Sequence, residues 1–312
     1  MAQIFTLDEI KARILGAGSK ASKIKFLTDE AGFTRKDAED TYHFVLLCEP
    51  RTPRTTHSPR LRQHNYTMGI EIECANVDRA AIRRLCAERG ITFGGGEHYH
   101  HTNGNHNYYE IKHDGSLETS AGDSYGTAEI VSPILRNLDS LKVVCEVLNG
   151  AGAHVNKSCG LHVHFGAADL TDGQIRRVVL NYARLEDVID TIMTPSRRGN
   201  RSNWCRTMRG YGFDELYHNP NIDRRAMRDV YGNDRYHKVN LEALRDHGTI
   251  EFRQHAGTTN FTKIENWVKF LAALITYSVN NETLVDANTI DEIPFITGAQ
   301  KAYFKQRAAE LA

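Results

Sequence analysis

The chain carries no net charge, with 39 basic and 39 acidic residues among 312, so no global field draws it to nucleic acid or to a membrane surface. No apolar run approaches the ~20 residues that a bilayer-crossing helix needs. Cysteine is sparse: Cys48, Cys74, Cys86, Cys145, Cys159 and Cys205 are scattered, with no CxxC pair, which is expected of a reduced intracellular protein. The first residues lack the basic-then-apolar order of a signal peptide, so a cytoplasmic location is expected, a host cytoplasm if the gene is viral. There is no GxxxxGKS/T loop, which excludes a P-loop enzyme, and no repeat or low-complexity tract. Hydrophobic content of 40% with 25% charged residues suits a globular protein.

Four short segments alternate apolar and polar residues: Gly69-Ile70-Glu71-Ile72-Glu73, Ala128-Glu129-Ile130-Val131, Gly160-Leu161-His162-Val163-His164 and Ile250-Glu251-Phe252-Arg253. Side chains on a strand alternate faces, so Glu71 shares a face with Glu73, His162 with His164, and Glu251 with Arg253. Each pair alone suits a solvated edge strand or a surface ion pair; four segments of one design point to a sheet with one apolar face and one of carboxylates and histidines. Buried carboxylates must be paired, protonated or metal-bound. Mostly oxygen donors suit Mg²⁺ or Mn²⁺ better than zinc, and such ions beside arginines make a polyphosphate clamp.

Strands are expected near 68–74, 108–112, 127–132, 160–165, 236–242 and 249–255, and helices near 78–89, 138–148 and 171–193. A further helix, capped by Thr262 and Glu265, should run to about 279. Strands and helices do not alternate regularly, so the class is α+β. Residues 1–50 form a helical extension, opened by a Thr6–Glu9 capping box. With its Gly32-Phe33-Thr34 break, it is either a plain extension or a helix-turn-helix-like unit. Residues 51–65, with Arg51, Arg54, Arg60, Arg62, Pro53 and Pro59 and no acid, read as a basic linker. A second acid-free basic run spans Arg197 to Arg209.

Seven segments resemble, in order, the amidoligase family of the carboxylate–amine ligase superfamily that includes glutamine synthetase and glutamate–cysteine ligase. They are Gly69–Glu73, Asp114–Leu117, Glu129–Pro133, Val155–His164, Arg201–Cys205, Tyr236–Asn240 and Thr249–Gly257, and the resemblance covers roughly residues 66–280. It implies a catalytic domain over 66–312 with a glutamine-synthetase-like fold, a curved antiparallel sheet flanked by helices and forming a funnel for ATP and Mg²⁺ or Mn²⁺. It also implies a reaction in which ATP phosphorylates a carboxylate and an amine displaces the phosphate. By motif, Glu71, Glu73, Glu129, His162 and Glu251 would hold metals, with Glu73, Glu251 and Arg253 catalytic. Arg253 would stabilise the transferring phosphoryl group, His164, Arg201 and Lys238 would contact phosphate or nucleotide, and Asp114 and Asn240 would orient substrate.

Two other functions stay open on the residues alone: a metal-dependent hydrolase built on His162 and His164, and a nucleic-acid-binding protein acting through residues 1–65. A ligase recruited by that segment to a peptide or nucleobase, in a phage or mobile-element setting, combines two of the readings. Superfamily folds of this kind assemble, so a homo-oligomer is compatible. His98, His100, His101 and His106 read as a mobile loop, Cys159 as a buried structural thiol, and Trp204 and Trp267 as packing residues. The irregular stretch 194–234, with Tyr211, Tyr217 and Tyr231, reads as a substrate lid.

Overall fold

The computed structural model describes residues 7–15, 19–36, 38, 66–94, 107–119 and 126–312. The basic linker at 51–65, Thr6 of the first capping box, residues 39–50 of the expected helical extension and the histidines of the 95–106 loop lie outside the described residues. The chain divides into two compact units, residues 1–59 and 60–312.

In the first unit, α1 (Leu7–Leu15) and α2 (Lys20–Asp29) bring Ile10, Ile14, Phe26 and Leu27 into a small core that Ala38 joins. Ser19 caps α2 by accepting the Ser22 amide, at 3.2 Å. Gly32 stands at φ +75°, a left-handed conformation that only glycine adopts without strain, and so ends the helical run where the sequence breaks.

The second unit is built on one open sheet of six antiparallel strands, in the order β2-β3-β1-β4-β6-β5. The strands are β1 (Met68–Cys74), β2 (Glu110–Lys112), β3 (Ala128–Val131), β4 (Leu161–Gly166), β5 (Val239–Asn240) and β6 (Thr249–Phe252). The helices are α3 (Arg79–Ala87), α4 (Asp139–Gly150), α5 (Asp172–Arg184), α6 (Glu186–Thr191), α7 (Tyr211–His218), α8 (Arg224–Val230), α9 (Ala243–Asp246), α10 (Phe261–Asn280) and α11 (Gly298–Glu310). The α+β class expected from the sequence is what the chain adopts.

Period-two patterning separates the two faces of the sheet. Ile70, Ile72, Ile130, Leu161, Val163, Phe165, Ile250 and Phe252 are all buried in the main core. Each contributes about 1.5–3 kcal/mol by leaving water, so a one-residue slip that exposed this set would be prohibitive. The apolar side of α5 (Ile175, Val178, Val179, Tyr182) joins the same core, with the Tyr182 ring 5.5 Å from that of Phe252. Helix α10 packs against both α5 and β4. With apolar residues committed to one face, the alternating charged positions have only the other.

Local departures from the expected elements have physical causes. The helix expected over 171–193 is broken at Leu185 into α5 and α6, because Glu186 turns inward to accept the Met208 amide (2.5 Å) and the Thr207 hydroxyl (2.6 Å). Apolar periodicity continues across the break and hides it. The strand expected over 236–242 shrinks to Val239–Asn240, since the backbone of Tyr236 and Lys238 pairs with Arg206 instead. The helix expected to be capped by Thr262 is capped by Asn260, whose side chain accepts the Lys263 amide. Residues 194–234, expected to be irregular, contain α7 and α8.

Candidate active site on the polar face of the sheet

Strand register gathers the charged residues. Glu71 stands opposite His162, Glu73 opposite Glu129, His164 opposite Glu251, Lys112 opposite Glu129 and Asn240 opposite Glu251. His162 Nδ1 lies 2.9 Å from Glu71 Oε2 and 3.6 Å from Glu251 Oε1, and His162 Nε2 lies 3.6 Å from Glu73 Oε1. His164 Nε2 is 3.3 Å from Glu71 Oε1 and 3.8 Å from Glu251 Oε1. Gly69 stands opposite His164, and a Cβ there would be in van der Waals contact with the His164 Cβ at 3.4 Å.

Glu73, His162, His164, Asn240, Glu251 and Arg253 are all buried. The Arg253 guanidinium donates to Glu251 Oε1 at 2.5 Å, and the Asn240 amide donates to Glu251 Oε2 at 2.5 Å. The Gly160 amide donates to Glu73 Oε2 at 2.5 Å. Arg253 Nε is buried and has no hydrogen-bond partner among the described residues.

Three groups of ligand atoms emerge, each with members within 4.8 Å of one another: Glu71, Glu129 and His162; Glu71, His164 and Glu251; and Glu73, Asp114 and Glu129. Glu71 and Glu129 are each shared by two groups, so the three form one continuous patch. Burial works against ionising Glu71, but His164 and His162 outweigh it and hold the carboxyl well below the ordinary range. Glu251 is likewise lowered, Arg253 and then His164 overcoming its burial. Glu129 goes the other way: burial, then Glu71, Glu73 and Asp114, push its carboxyl well above the ordinary range. His164 is raised, its burial outweighed by Glu251 and Glu71. Two like unit charges 4.8 Å apart repel by about 3 kcal/mol at an effective dielectric constant of 20. A divalent cation would turn that repulsion into attraction, so the donor set fits hard, oxygen-preferring ions.

The residues singled out from the sequence separate into those whose contacts join this patch and those with other surroundings. Glu71, Glu73, Glu129, His162, Glu251, Arg253, His164, Asn240 and Asp114 come together. His164 and Asp114, expected from the family motifs to touch phosphate and substrate, stand within ligand groups. Lys238 is fully buried, its ammonium 3.1 Å from Glu186 and 3.0 Å from Asp190 in a closed ion triad. Arg201 is exposed.

Another arginine of the same basic run stands beside the patch. Arg197 is buried, donates to the Cys159 carbonyl at 2.6 Å, and has its carbonyl held by Gln254 at 3.1 Å. Its Nη1 borders the Hα side of Gly160: a Cβ there would lie 2.8 Å from His162 Nε2, 3.2 Å from Glu73 Oε2 and 3.4 Å from Arg197 Nη1. The basic run marked the segment but could not say which arginine turns inward. Lys112 was also missed; three residues of edge strand give too little alternation to place it.

Beside the patch a cavity of 340 Å³ is bounded by Glu71, His164, Asn240, Glu242, His247 and Glu251, with Arg235 on its wall. Among the described residues no helix is long and apolar enough to cross a membrane. No curated protein matches the chain. Residues 64–275, which contain the whole patch, match the family model described as "putative amidoligase enzyme", and the chain belongs to that family.

Proposed function

We propose that the protein is an ATP- and Mg²⁺-dependent ligase that joins a carboxylate to an amine through an acyl phosphate. The observation that carries this reading is the run of three overlapping oxygen-rich ligand groups with Arg253 beside one and Arg197 beside another. Glu71, Glu129 and His162, then Glu71, His164 and Glu251, then Glu73, Asp114 and Glu129 would hold the cations. Bound there, Mg²⁺ or Mn²⁺ would supply charge neutralisation and orientation for a triphosphate.

This chain's own groups do the rest. Arg253, fixed by Glu251 and with Nε unpartnered among the described residues, is placed to bond a phosphoryl oxygen as charge shifts onto the leaving diphosphate. Arg197 offers a second guanidinium at the Glu73 end. Asn240 holds Glu251 in place through its amide and takes the Glu242 amide on its Oδ1. The cavity beside Glu71 and Glu251 would receive the carboxylate and amine substrates and keep water from the acyl phosphate. We read the open sheet as one wall of a glutamine-synthetase-like funnel, acting in the cytoplasm on a peptide or nucleobase substrate. The hydrolase alternative receives less support, since His162 and His164 fall into different ligand groups.

The test is ADP release in the presence of Mg²⁺ and mixed amino acids and amines. Wild-type protein should turn over, and Glu73→Ala and Arg253→Ala should each reduce the rate by about 100-fold or more. Undiminished ADP production in both variants would refute the assignment.

A further inference from the structure

Of the two tryptophans, Trp267 is buried in the core, but Trp204, expected to pack there as well, is 50% exposed. Its ring meets Tyr236 edge-on, with centroids 5.1 Å apart. Tyr236 leads back to the active site. The Arg253 guanidinium carbon is 6.0 Å from the Tyr236 ring centre, and Arg253 is the residue bound to Glu251. The exposed Arg235 places its guanidinium carbon 5.8 Å from the same ring centre and also lines the cavity that reaches Glu71, His164 and Glu251. A continuous path therefore runs from the carboxylate patch through Arg253 to Tyr236, Arg235 and Trp204.

Core packing does not explain this arrangement. The indole is half-exposed and meets the tyrosine edge-on, and Arg235 makes no ion pair among the described residues. A flat aromatic face with a cation nearby is the chemistry that stacks a nucleobase. Its position near Arg253 suits a ligand whose other end is a phosphate chain.

We propose that Trp204, Tyr236 and Arg235 form the base-stacking platform for the nucleoside triphosphate whose phosphates meet the carboxylate patch. The proposal rests on the phosphate reading above, and its test separates the two. Binding of Mg²⁺-ATP and of Mg²⁺-tripolyphosphate, which lacks the base and sugar, is measured by calorimetry on the full-length wild type, Trp204→Ala and Trp204→Phe. ATP should bind Trp204→Ala about 10-fold more weakly than wild type, with Trp204→Phe close to wild type and tripolyphosphate affinity unchanged in both. ATP should also quench tryptophan emission in wild type but not in Trp204→Phe, where buried Trp267 alone reports. Trp204 is half-exposed, so melting temperatures should stay close to wild type. Equal ATP affinity in Trp204→Ala and wild type, with tripolyphosphate still bound, would overturn the platform and leave the phosphate reading standing. Failure of wild type to bind either compound would overturn both.

Discussion

Replacing Glu129 with glutamine should stabilise the metal-free protein and weaken its hold on Mg²⁺. Glu129 shares one ligand group with Glu71 and another with Glu73 and Asp114, all atoms within 4.8 Å. Each ionised pair at that distance costs about 3 kcal/mol at an effective dielectric constant of 20. Proton uptake relieves part of this cost, which is why burial and its three acidic neighbours raise the Glu129 carboxyl so far. After screening and protonation, the net gain from Glu129→Gln should be about 1 kcal/mol at pH ~8, or roughly 2–4 °C in melting temperature.

The sign with pH follows from linkage. A carboxyl whose folded-state pKa is raised destabilises the fold only where it must ionise. The gain from glutamine is therefore absent below the unfolded-state value of about 4.3, grows as pH rises through it, and is complete above the raised folded-state value. The assay is calorimetric melting with a chelator and with saturating Mg²⁺ across that range. The variant should melt higher than wild type with chelator and should gain less from Mg²⁺. Identical melting in chelator together with an identical Mg²⁺ shift would refute the charge-repulsion argument.

Gly160→Ala would drive a Cβ to 2.8 Å from His162 Nε2 and 3.2 Å from Glu73 Oε2. Displaced site groups should slow ADP formation about 100-fold with little change in melting temperature, and full activity would contradict the close packing seen there. Lys238→Ala leaves Glu186 and Asp190 without their ammonium and should destabilise the protein by about 3–5 kcal/mol in urea unfolding. Normal stability combined with a raised KM for ATP would instead support Lys238 as a nucleotide contact. Arg197→Gln removes the guanidinium beside the Gly160 Hα and should weaken tripolyphosphate binding about 10-fold in calorimetry, whereas Arg201→Gln, at an exposed position, should not.

The sequence made the polar face legible because strand geometry forces it. Alternation assigns Glu71, Glu73, His162, His164 and Glu251 to one side of their strands whatever the pairing order, and the apolar partners fix which side faces the helices. Pairing order was not legible, so neither was the division of these residues into ligand groups. Long-range partners were hidden for the same reason: Lys238 carries no local mark of its ion triad with Glu186 and Asp190, 52 and 48 residues away. Arg197 depends on contacts with Cys159 and Gln254, again distant in the chain. Local backbone competition shortened β5, where Arg206 claims the hydrogen bonds of Tyr236 and Lys238.

The central claim is that hard divalent cations lie on this face of the sheet, and anomalous diffraction from crystals grown with Mn²⁺ and a non-hydrolysable ATP analogue addresses it directly. Manganese peaks should appear between Glu71, Glu129 and His162 and between Glu71, His164 and Glu251, with the analogue's terminal phosphate against Arg253. Manganese bound only elsewhere, or an analogue seated away from these carboxylates, would contradict it.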